Sequence, residues 1–454
     1  MKKFALATSL FALLSPEAFS QNYYVESKSY GSRLEPEPPQ YVRTLSETKI
    51  ESLKKIDWID VGLQYRVRFE DRDNDFTRSI DNVDTPIFSR TRAYFGVKKI
   101  LDPFRLTLEF QDSRKSHSRF ASSDSETNKL EFLQSYGELF FKDALGYERP
   151  ISIRYGRMSF GLLDKRLVDR NGWRNTTNNF QGFRAIFGQN KNDWQLDTFA
   201  LQTLNRPLER MDHRNNDQWL YGAVGNWRRW SKVTTLQPFY FRFDQKKTAL
   251  QSKKEIHSTG LRSYGVFGNS NFDYDFSGTV QFGRNNNQKQ RAFGSVAEIG
   301  YNFKHSWKPR LSENYVYGSG DKNPNDNKDQ RFDRLFGASN PITKNDYFQW
   351  ENINAVKTRI EFEPNQKLRV DSGYSFYWLA SSTDRWNKGN LRDNTGSSGN
   401  FLGQEFDSRI RYKFNPNLDS AIGYVHFKPG EFTRKVGRNN ASDFLYLELT
   451  WSLF

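Results

Sequence analysis

Arginines set at every second position carry the most distinctive chemistry in this chain. Arg66-x-Arg68, Arg90-x-Arg92 and Arg409-x-Arg411-x-Lys413 are the clearest runs. Lys98, Arg105, Arg154, Arg184, Arg242 and Arg359 stand in segments of the same rhythm. A guanidinium presents a fixed fork of donors that matches a carboxylate, and it stays charged at any physiological pH. Other chemistries are poorly supplied. The chain has no Cys, which removes thiolate metal sites and thiol nucleophiles. His117, His213, His257, His305 and His426 show no ligand spacing, so no metal is expected. Asp321-x-Asn323-x-Asn325 begins like a calcium loop, but Asp326 and Phe332 stand where an EF-hand needs Gly and Glu. Serines near His257 and His426 lack a nucleophile elbow, so neither catalysis nor a cofactor is expected.

The charge balance points outward from the molecule. Lys and Arg number 68 against 53 Asp and Glu, a formal charge of +15. Solubility does not require such an excess, which suggests an anionic partner. Nucleic acid would suit the charge but not the first twenty residues. There Lys2 and Lys3 precede a short apolar stretch, Phe4 to Leu14, and Ala18-Phe19-Ser20 forms a small-x-small cleavage site. Residues 1–20 therefore read as an export signal. Residues 21–56 are polar, with Glu35 and Glu37 between Pro36, Pro38 and Pro39, and read as a periplasmic segment with at most a short helix over Ser46 to Lys55.

From residue 57 to 454 the pattern changes to alternation. Val61, Leu63, Tyr65, Val67 and Phe69 share one face, with Gln64, Arg66 and Arg68 opposite. Phe104, Leu106, Leu108 and Phe110 repeat this, as do Phe272, Tyr274, Phe276, Val280 and Phe282. Leu402, Phe406, Ile410, Tyr412 and Phe414 oppose Glu405, Asp407, Arg409, Arg411 and Lys413. Period two with one apolar face is the mark of a strand. Roughly eighteen such segments start near residues 58, 89, 104, 131, 150, 180, 193, 218, 234, 256, 271, 292, 309, 349, 367, 402, 418 and 443. No run of about 18 apolar residues follows the N-terminus, so helices do not span a membrane here.

The connections alternate in length. Short turns at Leu101-Asp102-Pro103, Gly188 to Asn192, Glu363 to Gln366 and Asn415-Pro416-Asn417 interleave with long polar loops. The long loops run from Glu70 to Phe88, Asp112 to Lys129, Met158 to Asn179, Asp321 to Phe348 and Ala380 to Phe401. Outer-membrane barrels segregate loop length in this way, whereas a sandwich or propeller does not. The expected fold is all-β, a transmembrane up-and-down antiparallel barrel of about eighteen strands in the bacterial outer membrane. Its last strand carries Leu445, Leu447, Leu449, Trp451 and Leu453 on one face and ends in Phe454, a pattern suited to barrel-assembly machinery.

In that fold Arg66, Arg68, Arg90, Arg92, Lys98, Arg105, Arg154, Arg184, Arg242, Arg359, Arg409, Arg411 and Lys413 line the lumen. Two roles are open to them. They can guide anions through the pore, or they can pair with inward Glu109, Asp273, Asp275, Glu361, Glu405 and Asp407 and merely satisfy a polar interior. Arg72, Arg114 and Arg119 are expected in loops, solvated or bound to lipopolysaccharide phosphates. The long loops between strands thirteen and fourteen, and fifteen and sixteen, are expected to constrict the mouth.

Three motifs extend this reading. Arg154-Tyr155-Gly156-Arg157 is followed by Arg166-Leu167, Trp173, Asn175 and Phe180. Gly318-Ser319-Gly320-Asp321 precedes Phe332-Asp333-Arg334-Leu335-Phe336. Gly403-Gln404-Glu405-Phe406-Asp407 is completed by Phe427-Lys428-Pro429-Gly430. In this order they resemble the alginate-export family, which implies an eighteen-stranded barrel carrying an anionic polysaccharide outward. The alternatives are a general or nutrient porin and a non-conducting surface adhesin. Oligomeric state is not encoded in these patterns.

Overall fold

Strands with one lipid face can satisfy every backbone group in hydrocarbon only by closing the sheet on itself. The computed structural model describes residues 26–78, 82–229, 231, 233–249 and 251–453, so the expected export signal and Phe454 lie outside the described residues. Among these, eighteen antiparallel strands form the barrel. They are β1 (Ile59–Asp73), β2 (Ile87–Val97), β3 (Phe104–Ser116), β4 (Asn128–Phe141), β5 (Ile151–Met158) and β6 (Phe180–Phe187). Next come β7 (Trp194–Asn205), β8 (His213–Trp227), β9 (Thr234–Gln245), β10 (Lys254–Val266), β11 (Phe272–Asn285) and β12 (Gln288–Asn302). The circuit ends with β13 (Arg310–Gly318), β14 (Ile353–Phe362), β15 (Leu368–Trp378), β16 (Phe401–Asn415), β17 (Leu418–Pro429) and β18 (Ser442–Ser452). Each strand pairs with the next, and β18 returns to β1 from Gln64↔Ser452 to Asp73↔Asp443. Closure leaves no free sheet edge. No described helix is long and apolar enough to cross a membrane.

The two faces follow the alternation. On β18, Leu447, Leu449 and Trp451 point outward and are 47%, 47% and 39% exposed, while Phe444 and Tyr446 are buried inside. Outward Phe104, Phe141, Phe272, Trp307 and Phe414 sit at the short-turn ends of their strands or in those turns, where an aromatic girdle meets the membrane surface.

The interior is filled unevenly. Loop 159–179 and loop 319–352 fold into the lumen and bring Phe160, Leu162, Leu167, Val168, Phe332 and Phe336 against an apolar inner wall. That wall is built of Phe199, Leu201, Leu220, Val224, Phe239, Phe241 and Phe243 on β7, β8 and β9. The two loops pair with each other through a Val168↔Phe336 bridge and an Ala338 N–H donating to Lys165 O at 2.9 Å. Gly337 allows this contact, since a Cβ there would collide with the Arg166 carbonyl. The opposite half of the wall, β1–β3 and β14–β18, turns Arg66, Arg68, Arg90, Arg92, Glu109, Arg359, Asp371, Glu405 and Asp407 inward, with Val425, Phe444 and Tyr446 packed beside them.

Four expectations need correction. Arg242 does not face the lumen: Phe239, Phe241 and Phe243 take the inner side of β9, which leaves Arg242 outside with Asp244 (2.9 Å) and Glu255 (3.4 Å). The inner wall is apolar there because loop side chains cover it, which inverts the usual polarity. Leu402 is also turned inward, as the unpaired residue of a bulge where Tyr377 pairs Gly403 and Trp378 pairs Phe401. Gly403 takes φ +149° at this bulge. Arg72 is no free loop cation, but lies inside, paired with Glu70 at 2.5 Å and Asp75 at 3.4 Å.

The fourth correction concerns residues 26–44, which do not hang in the periplasm. They cross the lumen as a strap. Ser27 donates to Asp275 (2.7 Å), Ser29 to Glu298 (2.9 Å), Tyr30 to Asp371 (2.9 Å) and Tyr41 to Glu109 (2.7 Å). Val42–Thr44 then pairs with Asp60–Gly62 of β1, beyond the end of β18. Inward polar groups on the wall supply the partners that a Pro-rich strap cannot find within itself. The helix expected over Ser46 to Lys55 is two short 3-10 turns, Leu45–Glu47 and Glu51–Leu53.

Candidate functional site

Arg66 on β1 and Arg90 on β2 stand directly opposite each other. Like charges in that register repel, so something must hold them. Loop 159–179 does so with its backbone. The Gly172 carbonyl accepts from Arg66 (3.3 Å) and Arg90 (3.1 Å), and the Arg174 carbonyl accepts from the same two at 3.1 and 3.2 Å. Glu448 on β18 adds a carboxylate 3.4 Å from Arg66. Arg68 donates to Trp173 O at 2.8 Å and stacks 4.5 Å from its indole. Arg92 donates to Gln111 (2.9 Å) and Thr177 (2.5 Å). These four arginines therefore anchor the inserted loop as well as charging the wall.

The remaining sequence candidates divide by partner. Arg359 lies between Asp371 (2.7 Å) and Asp407, with Arg409 (3.0 Å) and Arg411 (3.3 Å) also on Asp371. Arg154 and Arg184 pair with Glu138 (3.0 Å) and Asp197 (2.7 Å). Arg105 stacks 3.5 Å from the Phe140 ring at the short-turn end, Lys98 holds Asp60 at 2.6 Å, and Lys413 continues the β16 row, exposed at the rim. Pairing with wall carboxylates is what the structure shows for Arg154, Arg184, Arg359, Arg409 and Arg411.

Two cavities lie along the polar half. One, of about 330 Å³, is bounded by Arg66, Arg90, Arg92, Lys165, Arg170, Arg409 and Arg411 against only Glu35, Asp169 and Glu448. The other, of about 260 Å³, lies toward the long loops and holds Arg68, Arg72, Arg78, Arg174, Lys344 and Lys388 against Glu70, Glu126 and Asp346. Trp173 lines both and so stands between them. Its indole packs edge-on to Tyr446 at 5.1 Å. Cations outnumber carboxylates in each chamber, a distribution that concentrates anions.

Burial dominates the titration of the loop groups in these chambers. Burial, and then the Arg409 charge, push the Lys344 ammonium well below its ordinary pKa. Burial also lowers Lys388 to about 8 despite Asp346 beside it. Asp169, buried in the larger cavity, is raised to about 6, desolvation outweighing Lys165 and Arg170. With a raised pKa the carboxyl is charged above about pH 6 and neutral below it, so acid removes a negative charge from the cavity. The ratio of anion to cation permeability should therefore rise between pH 7 and pH 5, and Asp169→Asn should shrink that change. An equal pH response in the variant would place Asp169 outside the conducting path.

The motif residues build the supports. Glu405 is buried on β16 and accepts from Thr343 (3.0 Å), Asn345 (3.0 Å) and Tyr377 (3.2 Å), which pins the tip of loop 319–352. Asp407 accepts from Lys357 at 3.2 Å beside Arg359. Arg157, next to Gly156 on β5, donates to Glu131 and to Asp212 O at 3.0 Å. Gly318 and Gly320 lie where β13 leaves the wall, and Asp321 N donates to Asp384 at 2.9 Å. Lys428, Pro429 and Gly430 end β17 at the short helix α1 (Glu431–Val436), where Gly430 N donates to Leu402 O at 2.7 Å and Lys428 is exposed.

Loop 319–352 was expected at the constriction. The role of loop 159–179 was not, although its Trp173 and Asn175 belong to a motif. Glu35, Glu37, Tyr30 and Lys344 were also missed as lumen residues. The alternating acids among prolines were the one available signal.

Comparison with known proteins agrees with this architecture. The family profile described as Alginate export matches residues 57–446. Among solved structures, Pseudomonas aeruginosa OccK2 (OpdF) in complex with glucuronate matches with TM-score 0.61 and 13% identity, over 87% of this chain and 98% of that one. The outer membrane protein OpdK of the same organism matches with TM-score 0.59 and 11% identity, over 87% and 99%. Acinetobacter baumannii OccAB1 matches with TM-score 0.58 and 12% identity, over 90% and 99%. No curated protein sequence matches the chain.

Proposed function

The chain belongs to the alginate-export family and is a channel of the bacterial outer membrane, and on that premise we propose that it passes acidic sugars along its arginine wall. One observation carries the reading. The larger cavity presents seven cationic side chains against three carboxylates, in the space between the arginine wall and the two inserted loops. Such a chamber lowers the energy of a carboxylate without binding it at a single deep site, so cargo can enter and leave. OccK2 was solved with glucuronate, a monomer of this chemistry. An acidic polysaccharide such as alginate is the narrower form of the proposal. The protein acts passively, with no reaction and no cofactor. Arg242 and Arg114 on outer surfaces suit lipopolysaccharide phosphates, and the outward row of β18 suits recognition by the assembly machinery.

A nutrient pore for neutral solutes is the second reading, favoured by the bonds that commit Arg66, Arg68 and Arg90 to loop carbonyls. Liposome swelling separates the two. Sodium galacturonate should enter protein-loaded vesicles faster than galactose of nearly equal size. Equal rates would favour the neutral pore, and no swelling with either would make the barrel a closed surface structure.

A further inference from the structure

Glu35 and Glu37 lie two residues apart on the strap, and each carboxylate occupies an arginine. Arg154 on β5 and Arg184 on β6 are a directly opposed like-charge pair, a register that a bare wall disfavours. Glu138 and Asp197 hold these guanidiniums from the wall. Glu37 bridges them from the lumen, Oε2 accepting from Arg154 and Oε1 from Arg184 at 2.9 Å. Glu35 meets Arg170 of loop 159–179 at 3.1 Å, within the larger cavity. Burial by itself would raise both carboxyls, yet Arg170, Arg92 and Arg90 hold Glu35 below its ordinary range, as Arg184 and Arg154 do Glu37.

Little else fastens this stretch. Pro36, Pro38 and Pro39 have no N–H to donate, and among the described residues no backbone group of 33–38 bonds to the barrel wall. An extended Pro-rich chain advances about 6 Å in two residues, a spacing on the order of one sugar residue. We propose that Glu35 and Glu37 imitate the carboxylates of acidic cargo. The Arg154–Arg184 pair and Arg170 are then a carboxylate-binding site, covered by the strap at rest and taken over by an oligouronate when the strap is displaced. This rests on the reading of the lumen as an anion path, and it adds a site and an occupant that the path alone does not require.

The test uses the full-length protein in planar bilayers with trigalacturonate. Glu35→Gln/Glu37→Gln should conduct more at rest than the wild type and be blocked at about tenfold lower trigalacturonate. Arg154→Gln/Arg184→Gln in that background should lose the gain. In the wild type, trigalacturonate should speed hydrogen exchange at Tyr30 and Ser32 of the strap, whose N–H groups donate to Glu298 and to the Ser29 carbonyl at rest. If both proteins are anion-selective but share the same resting conductance and blocking concentration, the strap proposal is overturned while the lumen reading stands. Blockade with unchanged exchange at the strap overturns it as well. Cation selectivity in both proteins overturns the lumen reading, and the strap site with it.

Discussion

Arg359→Leu is expected to cost the barrel about 3–5 kcal/mol, the usual loss when one partner of a buried ion pair is removed. Arg359, Asp371 and Asp407 have side chains no more than 1% exposed, so the substitution strands two carboxylates away from bulk water. Lys357 on Asp407 (3.2 Å) and Arg409 and Arg411 on Asp371 (3.0 and 3.3 Å) remain, which favours the lower end of the range. The strap suffers too, since the Arg359 guanidinium lies 3.7 Å from the Tyr30 ring centroid. Asp407→Asn in the same chain should recover part of the loss. Unfolding by urea in detergent micelles measures this, and a loss of less than about 1 kcal/mol would mean that the pairs behave as solvated surface bridges.

The second large effect is on conduction. Arg66→Ala/Arg90→Ala removes four guanidinium bonds from the carbonyls of Gly172 and Arg174. Hydrogen bonds to charged groups contribute about 1.5–3 kcal/mol each, so the loop should leave the wall. Single-channel conductance should increase severalfold while anion selectivity falls. Arg66→Lys/Arg90→Lys separates the two roles, because lysine keeps the charge but cannot present the fork. That variant should gain conductance and keep its selectivity. Unchanged conductance in both variants would show that other contacts position Trp173.

Much of this was legible in the alternation. β3, β6, β9 and β17 begin at Phe104, Phe180, Thr234 and Leu418, where the pattern placed them. The signal is strong because every strand solves the same problem, lipid on one face and water or protein on the other. The lumen candidates at 66, 68, 90, 92, 154, 184, 359, 409 and 411 follow from it directly. Arg242 failed because the rule assumes a polar inner face. Around Phe239, Phe241 and Phe243 the barrel wall packs against loop aromatics, with Phe243 and Phe336 centroids 5.4 Å apart. Leu402 failed because one bulged residue reverses the phase, which period counting cannot see.

The loops and the strap were illegible for a different reason. Their position depends on long-range partners, such as Glu37 with Arg184 at 2.9 Å across 147 residues, and no local pattern encodes such a pairing. The arginine ladder announced an unmet need for acceptors. It did not say that loop carbonyls and two glutamates would meet part of it.

The account stands on the excess of cationic side chains around Trp173, and the zero-current potential in a potassium chloride gradient tests it most directly. With the pure wild-type protein in a planar bilayer, the sign should be that of chloride moving down its gradient more readily than potassium. A potential of zero, or of the sign set by potassium, would contradict it.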